Sequence, residues 1–202
     1  MISKNRFEAF SDGVFAIAIT LLVLEFQVPS LTVGDEAGTL HALLSLWPQY
    51  LVYAASFITI GIMWFNHYSI FHRVERVSYA TLIANLALLL LVAFLPFPTE
   101  VLARAGFVPS SVIFYGLVFV GLSIAFGALQ YVAGLREGQH GSLAGYLRAR
   151  TPWNSVGIIL YSLGLLIALA SPLATIVLYA AVAVYYLLPF NLRAASASPP
   201  AD

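Results

Sequence analysis

The sequence has no cysteine and few charged residues. Asp, Glu, Lys and Arg make up 9% of its 202 residues, whereas a soluble domain carries about 25%. The lack of cysteine excludes disulfides, thiol catalysis and iron–sulfur clusters. Hydrophobic residues make up 61% of the chain, and its mean hydropathy is +0.91. These values predict a membrane protein with little soluble mass, and the net charge of zero gives no reason to expect a nucleic-acid partner.

Enzyme signatures are also missing. The chain has no H-E-x-x-H, no G-x-S-x-G and no glycine-rich phosphate loop followed by lysine. Its histidines, at positions 41, 67, 72 and 140, are scattered over separate segments. We therefore predict neither an enzyme, nor a metal site, nor a resident cofactor.

Long apolar runs predict an all-α, polytopic membrane fold. A helix needs about 20 mostly apolar residues to cross a bilayer core about 30 Å thick. Five segments meet this length: His41–Asn66, Val77–Ala103, Pro109–Gly134, Pro152–Ser171 and Pro172–Asn191. A sixth, Phe7–Val28, has a shorter uninterrupted apolar run, and hydropathy alone is also compatible with a re-entrant segment. Counting it gives six transmembrane helices.

The distribution of basic residues supports six spans. With a cytoplasmic N-terminus, the cytoplasmic side holds Lys4, Arg6, Arg73, Arg76, Arg136, Arg148, Arg150 and Arg193. Only Arg104 then lies outside, which satisfies the positive-inside rule. Both termini are therefore predicted to be cytoplasmic. We predict that residues 1–193 form one transmembrane domain and that 194–202, with two prolines, form a disordered tail.

Polar side chains from three predicted helices fall at one depth, near the cytoplasmic side. They are Arg6, Ser11 and Asp12 on the first helix, Trp64, Asn66 and His67 at the end of the second, and Asn85 on the third. Polar groups buried in lipid must find partners, so we expect mutual hydrogen bonds. Such a cluster is either a proton relay or metal site, or a structural network that fixes the first helix. We favour the structural network, because intramembrane polar groups commonly join helices.

One stripe of the first helix is apolar. At 3.6 residues per turn, Ile17, Leu21, Leu24 and Val28 share a face, with Thr20 on its flank. On spacing alone, this stripe is more often an ordinary packing or lipid-facing surface. The alternative is a pore wall in a symmetric oligomer, where rings of such residues form a hydrophobic constriction.

Acidic residues follow that stripe. Glu25, Asp35 and Glu36 form either an acidic ring that concentrates cations at an outer mouth or only a solvated loop. The basic segment at 72–76 is interpreted as a loop that sets the topology.

The string Arg6-x-x-x-Phe10-Ser11-Asp12 resembles the signature of the transmembrane protein 175 family, whose members are potassium-permeable channels. Trp64-Phe-Asn66-His67 and the six-helix length extend the resemblance to most of the chain. It implies a tetramer of six-helix subunits in which the first helix lines a central pore. The chain contains no T-V-G-Y-G filter sequence. This agrees with the resemblance, because the pore of this family is lined by the first helix and not built on such a filter.

Position by position, the resemblance puts the main constriction at Ile17 and further pore-facing positions at Thr20 or Leu21 and at Leu24. It gives Arg6, Phe10, Ser11 and Asp12 a structural and assembly role, with His67 and Asn85 as network partners. With it, pore lining becomes the favoured interpretation of the stripe.

The sequence therefore predicts a homotetrameric, potassium-permeable cation channel of the bacterial inner membrane, with potassium and other monovalent cations as permeant ions and the lipid bilayer as its surroundings. Two other classes stay open. One is a proton-coupled secondary transporter that uses Asp12 and His67, although no inverted repeat supports it. The other is a non-conducting membrane scaffold.

Overall fold

The computed structural model describes residues 3–27, 29–72, 74–136, 142–149 and 152–187, and within these ranges every regular element is a helix. The helices are α1 Lys4–Leu21, α2 Glu36–Ser45, α3 Trp47–Phe71, α4 Tyr79–Phe94, α5 Pro96–Ala105, α6 Pro109–Arg136, α7 Leu143–Ala149, α8 Pro152–Ala168 and α9 Pro172–Leu187. A short 3₁₀ helix, Leu22–Glu25, continues α1. The predicted all-helical class is confirmed.

Several predicted residues lie outside the described ranges. These are Val28, Arg73, His140, Arg150, Arg193 and the tail 194–202, and the side chains of Arg136 and Arg148 are likewise not described.

Two predicted spans prove to be broken helices. The segment predicted from His41 contains α2 and α3, which meet at Leu46 with ψ 4°, outside the helical range. Pro48 in the first turn of α3 has no amide hydrogen, so a continuous helix would lose a hydrogen bond there. Similarly, Pro96 separates α4 from α5. Residues 64–67 were also predicted to end the second span, but α3 continues to Phe71.

Among the described residues, four helical stretches are long and apolar enough to cross a membrane: Lys4–Glu25, Trp47–Phe71, Tyr79–Ala105 and Pro109–Gly134. The first is the segment that hydropathy alone left uncertain. Helices α8 and α9 are apolar but have only 17 and 16 residues, or about 25 Å at 1.5 Å per residue. The count of six spans therefore stays a prediction.

Packing places α1 against α3 and α4, with its 3₁₀ extension against α5. Helix α6 packs against α4 and α8, and α9 closes the bundle against α3 and α8. The α8–α9 connection spans only residues 169–171, which is the tight hairpin that Ser171-Pro172 indicates. The candidate site is built around α1, one side of which packs against α3 and α4.

Candidate functional site

Helix α1 has one buried and one exposed face. The buried residues recur every three or four positions: Phe7, Ser11, Phe15, Ala18 and, in the 3₁₀ extension, Leu22. This spacing forms one stripe along a helix, and it faces α3 and α4. The fold therefore uses half of the helix surface to hold α1 in place.

The predicted pore-facing residues lie on the other side. Ile17 is 61% exposed, Leu21 40% and Leu24 72%, and the Thr20 side chain is exposed between them. Phe10 is also exposed. An apolar stripe of this length has no partner among the described residues of the same chain. It is available to a second copy, to lipid or to a pore.

The hydroxyl hydrogen of Thr20 points to the backbone of its own helix. Its Oγ1 lies 2.9 Å from the carbonyl oxygens of both Ala16 and Ile17, to which it donates. The lone pairs of the hydroxyl oxygen then remain available as acceptors on the exposed face.

A buried chain of hydrogen bonds joins α1 to α3 and α4. Asn85 Nδ2 donates to Ser11 Oγ at 2.9 Å, and Asn85 Oδ1 lies 2.8 Å from His67 Nε2. Because an amide oxygen can only accept, His67 Nε2 carries the hydrogen in this arrangement. Ser11 in turn donates to the carbonyl oxygen of Phe7 at 3.0 Å. All three polar side chains are buried, and each makes at least one hydrogen bond.

Aromatic rings seal this chain. The ring centroids of Phe15 and Phe71 lie 5.4 Å and 4.6 Å from that of His67. A half-satisfied buried network would be destabilising, whereas a fully satisfied one specifies a unique packing. The arrangement fixes the rotation of α1 about its own axis, and with it the direction of the exposed stripe.

Asp12 and Arg6 are separate from that chain. Trp64 Nε1 donates to Asp12 Oδ1 at 2.8 Å, and both side chains are exposed. Arg6 is exposed as well and has no hydrogen bond or ion pair within the described residues. The sequence suggested one network that includes Arg6. The structure instead brings the polar residues together in two groups, and Arg6 belongs to neither.

The C-terminal end of α1 has a charged contact that the sequence did not suggest. The half-buried Glu25 carboxyl lies within hydrogen-bonding reach of Glu100 on α5. Glu100 also forms an ion pair with Arg104 one turn further along α5. With its amide oxygen turned toward Arg104, Gln27 accepts from the guanidinium Nε at 2.7 Å. Helix α5 thus braces the end of α1.

The other two acids of the predicted outer ring differ from Glu25. Asp35 Oδ1 accepts from the amide nitrogen of Gly38 at 2.9 Å and so caps the N-terminus of α2, while Glu36 is exposed in the first turn of that helix. Within the described residues, no three His, Asp or Glu side chains are grouped so as to hold a metal ion.

Comparisons with known proteins give consistent matches. The sequence model of the family described as "Endosomal/lysosomal potassium channel TMEM175" matches residues 6–96. A protein named potassium channel from Streptomyces collinus is 47% identical over 135 residues, which span 64% of this chain and 64% of that protein's own length. A protein named potassium channel from a Chryseobacterium strain is 36% identical over 188 residues, spanning 93% of this chain and 94% of that protein.

A solved structure agrees. The crystal structure of a lysosomal potassium-selective channel TMEM175 homologue from Chamaesiphon minutus superposes with a TM-score of 0.78 at 37% identity, covering 93% of this chain and 98% of that one. These relatives are named as channels and not as enzymes, in agreement with the missing enzyme signatures.

Proposed function

This chain belongs to the TMEM175 family, and on that premise we propose that it is a potassium-permeable cation channel whose pore is lined by α1. It is an all-helical membrane protein, and its relatives of similar length are named potassium channels. The observation that carries the proposal is the exposed apolar stripe of α1, which the buried chain behind it holds in one orientation.

In this proposal four copies surround a central axis, each contributing its α1. Ile17, Leu21 and Leu24 then form three successive rings. The distance from the first to the last is about 10–12 Å, given rises of 1.5 Å per residue in the α-helix and about 2.0 Å in the 3₁₀ helix. Hydrophobic rings of this kind gate by dewetting or by forcing ions to shed water.

Selectivity arises here from dehydration. Potassium gives up its water more easily than sodium, so a narrow apolar section at Ile17 favours potassium. The outward lone pairs of Thr20 offer an acceptor to an ion that has lost part of its shell, and Glu25 raises the cation concentration at the mouth. The permeant ion is the ligand, and no resident cofactor is required.

The wider architecture completes the proposal. We propose a homotetramer in a bacterial inner membrane, with six spans per subunit, both termini cytoplasmic and residues 1–193 as one domain. Helices α8 and α9 are the fifth and sixth spans, and their apolar sequences support this assignment.

The proton-coupled carrier has less support. It requires a proton to move between Asp12 and His67, yet these side chains belong to separate hydrogen-bonded groups. The chain that includes His67 ends on the carbonyl oxygen of Phe7, which cannot release a proton onward.

The test is ion flux from liposomes that contain purified protein and potassium, with sodium outside. Ile17→Ala and Ile17→Asn are compared with the same changes at Ile159 on α8, which is 60% exposed. We expect fast, non-saturating potassium efflux, with rate or selectivity changed at position 17 and unchanged at position 159. Absence of flux from folded wild-type oligomer would favour the scaffold, and saturable flux that follows a proton gradient would favour the carrier.

A further inference from the structure

A groove runs between α1 and α3, on a different side of α1 from the exposed stripe. Its volume is about 340 Å³, and its walls include Phe15 and Ile19 of α1 and Ile60 of α3. Small-ligand sites typically have about 300–1,000 Å³ and mostly apolar walls with few polar groups. The size and lining of this groove suit one compact organic molecule.

Part of the groove is left open by a glycine. Gly61 of α3 lines it, and a Cβ added at this position would meet no atom within 4 Å. Ala16 opposite is also small and exposed. Larger residues at these two positions would fill the space, so the groove depends on small side chains on both helices.

Asp12 gives the groove its one charge. It is the only charged residue among those that line it, and Trp64 holds one of its oxygens at 2.8 Å. A carboxylate accepts about four hydrogen bonds, so much of its capacity is unused within the described residues. In a membrane span a charged carboxylate is costly unless it is paired, so a positive group placed against Asp12 would be stabilising.

The basic residues next to Asp12 in the sequence do not pair with it. Lys4 pairs with Glu8 at 3.9 Å. Arg6 precedes Asp12 by six residues, which puts it about 120° away around the helix. The groove also has no basic residue that would bind the phosphate of a phospholipid. The complementary molecule has a positive group at one end and an apolar body otherwise.

We propose that this groove binds a hydrophobic amine in its cationic form, with the ammonium on Asp12 and the apolar body between α1 and α3 beside Gly61. The site is separate from the proposed pore, and its occupancy can be measured whether or not the protein conducts.

The experiment measures equilibrium binding of labelled 1-adamantylamine to the full chain in nanodiscs free of ethanolamine lipids, with empty nanodiscs as the blank for partitioning. The neutral analogue 1-adamantanol is the paired probe. We expect saturable binding of about one amine per chain and at least tenfold weaker binding of the alcohol, because a charged hydrogen bond is lost.

Three variants locate the site. Gly61→Leu fills the groove and should abolish binding of the amine. Asp12→Asn keeps the shape and should weaken the amine about tenfold while leaving the alcohol unchanged. Ala93→Leu introduces the same side chain as a control at an exposed position of α4 and should change nothing. If Asp12→Asn does not fold, as judged by gel filtration, the loss or survival of amine binding in Gly61→Leu still tests the proposal.

Two results would overturn the proposal. One is equal affinity for amine and alcohol, or binding that survives Gly61→Leu. The other is no saturable binding to wild type, which would mean that a second copy or lipid fills the groove. Binding that appears only when ethanolamine lipid is absent, and is displaced when it is added, would identify the lipid headgroup as the competitor and support the ammonium site.

Discussion

The two ends of α1 are held by opposite means. Near its N-terminal end, Ser11, Asn85 and His67 form a buried chain of hydrogen bonds that joins three helices. At its C-terminal end, Glu25 meets Glu100 and Arg104, which are partly exposed and charged. Buried hydrogen bonds respond little to salt, whereas charged surface contacts weaken as ionic strength rises. The comparison suggests that α1 has a fixed end, whose contacts do not depend on salt, and an adjustable end, whose contacts do.

The largest effect is expected from Asn85→Leu. This change leaves His67 Nε2–H buried without a partner, at about 1–3 kcal/mol. It also removes the hydrogen bond that Ser11 Oγ accepts, while Ser11 still donates to the carbonyl oxygen of Phe7. We expect a Tm lower by roughly 5–15 °C, measured by thermal gel filtration in detergent. Asn66→Leu, at a half-buried site on α3, is the matched control and should shift Tm by much less. Equal Tm shifts for Asn85→Leu and Asn66→Leu would show that the hydrogen bonds of Asn85 add no particular stability.

Ser11→Ala should act in the same direction but less strongly. It removes one acceptor for Asn85 Nδ2 and leaves the bond to His67 in place, so the loss is about 1–2 kcal/mol. Ser69→Ala is the control, because among the described residues the Ser69 hydroxyl donates only to the carbonyl oxygen of Phe65 in its own helix, on an exposed face. Tm of both variants at low and high salt should show a Ser11 effect that does not depend on salt.

Arg104→Gln tests the adjustable end. It removes the cation that lies beside Glu100 and Glu25, so two carboxyl groups face each other without compensation. Because the ion pair is partly exposed, the expected loss is only about 0.5–1 kcal/mol. The decisive readout is the difference in Tm from wild type, which should shrink between about 0.05 M and 1 M salt as the Debye length falls from more than 10 Å to about 3 Å. A difference that stays constant with salt would remove the contrast between the two ends.

Glu25→Gln should have the smallest effect on stability, since it also relieves the contact between two carboxyl groups. Under the proposed function it lowers the local cation concentration, and we expect potassium efflux to fall about twofold at low ionic strength and to recover at high salt. Glu36→Gln, in the exposed first turn of α2, is the control. Equal effects of both variants would assign the change to overall surface charge.

Local patterns in the sequence were sufficient to predict the class of fold. The apolar runs predicted three of the four long helical stretches, and the distribution of basic residues supported the first. The spacing of Ile17, Leu21 and Leu24 predicted that they share one face of α1. The prediction that α3 is one helix from His41 was wrong, because hydropathy does not register the break at Leu46 before Pro48.

Contacts in the site could be predicted from sequence only where the depth of each residue in the membrane determines which side chains meet. Depth placed Ser11, His67 and Asn85 at one level, and they are bonded. The direction of each side chain depends on how the helices pack, so sequence did not separate Arg6 from the others. Nor did it suggest Glu100 as a neighbour of Glu25, since that contact depends on how α5 packs against the 3₁₀ extension of α1.

The central claim is that the exposed stripe of α1 lines the ion path, and the absence of cysteine from the chain allows a direct test. Single cysteines are placed at 17, 21 and 24 on the exposed face and at 15, 18 and 22 on the buried face, and potassium flux is measured before and after a positively charged thiol reagent. Our account predicts that the reagent blocks flux through the first three variants and leaves the second three unchanged. Block confined to the buried positions, or no block at 17, 21 and 24 despite complete labelling, would contradict it.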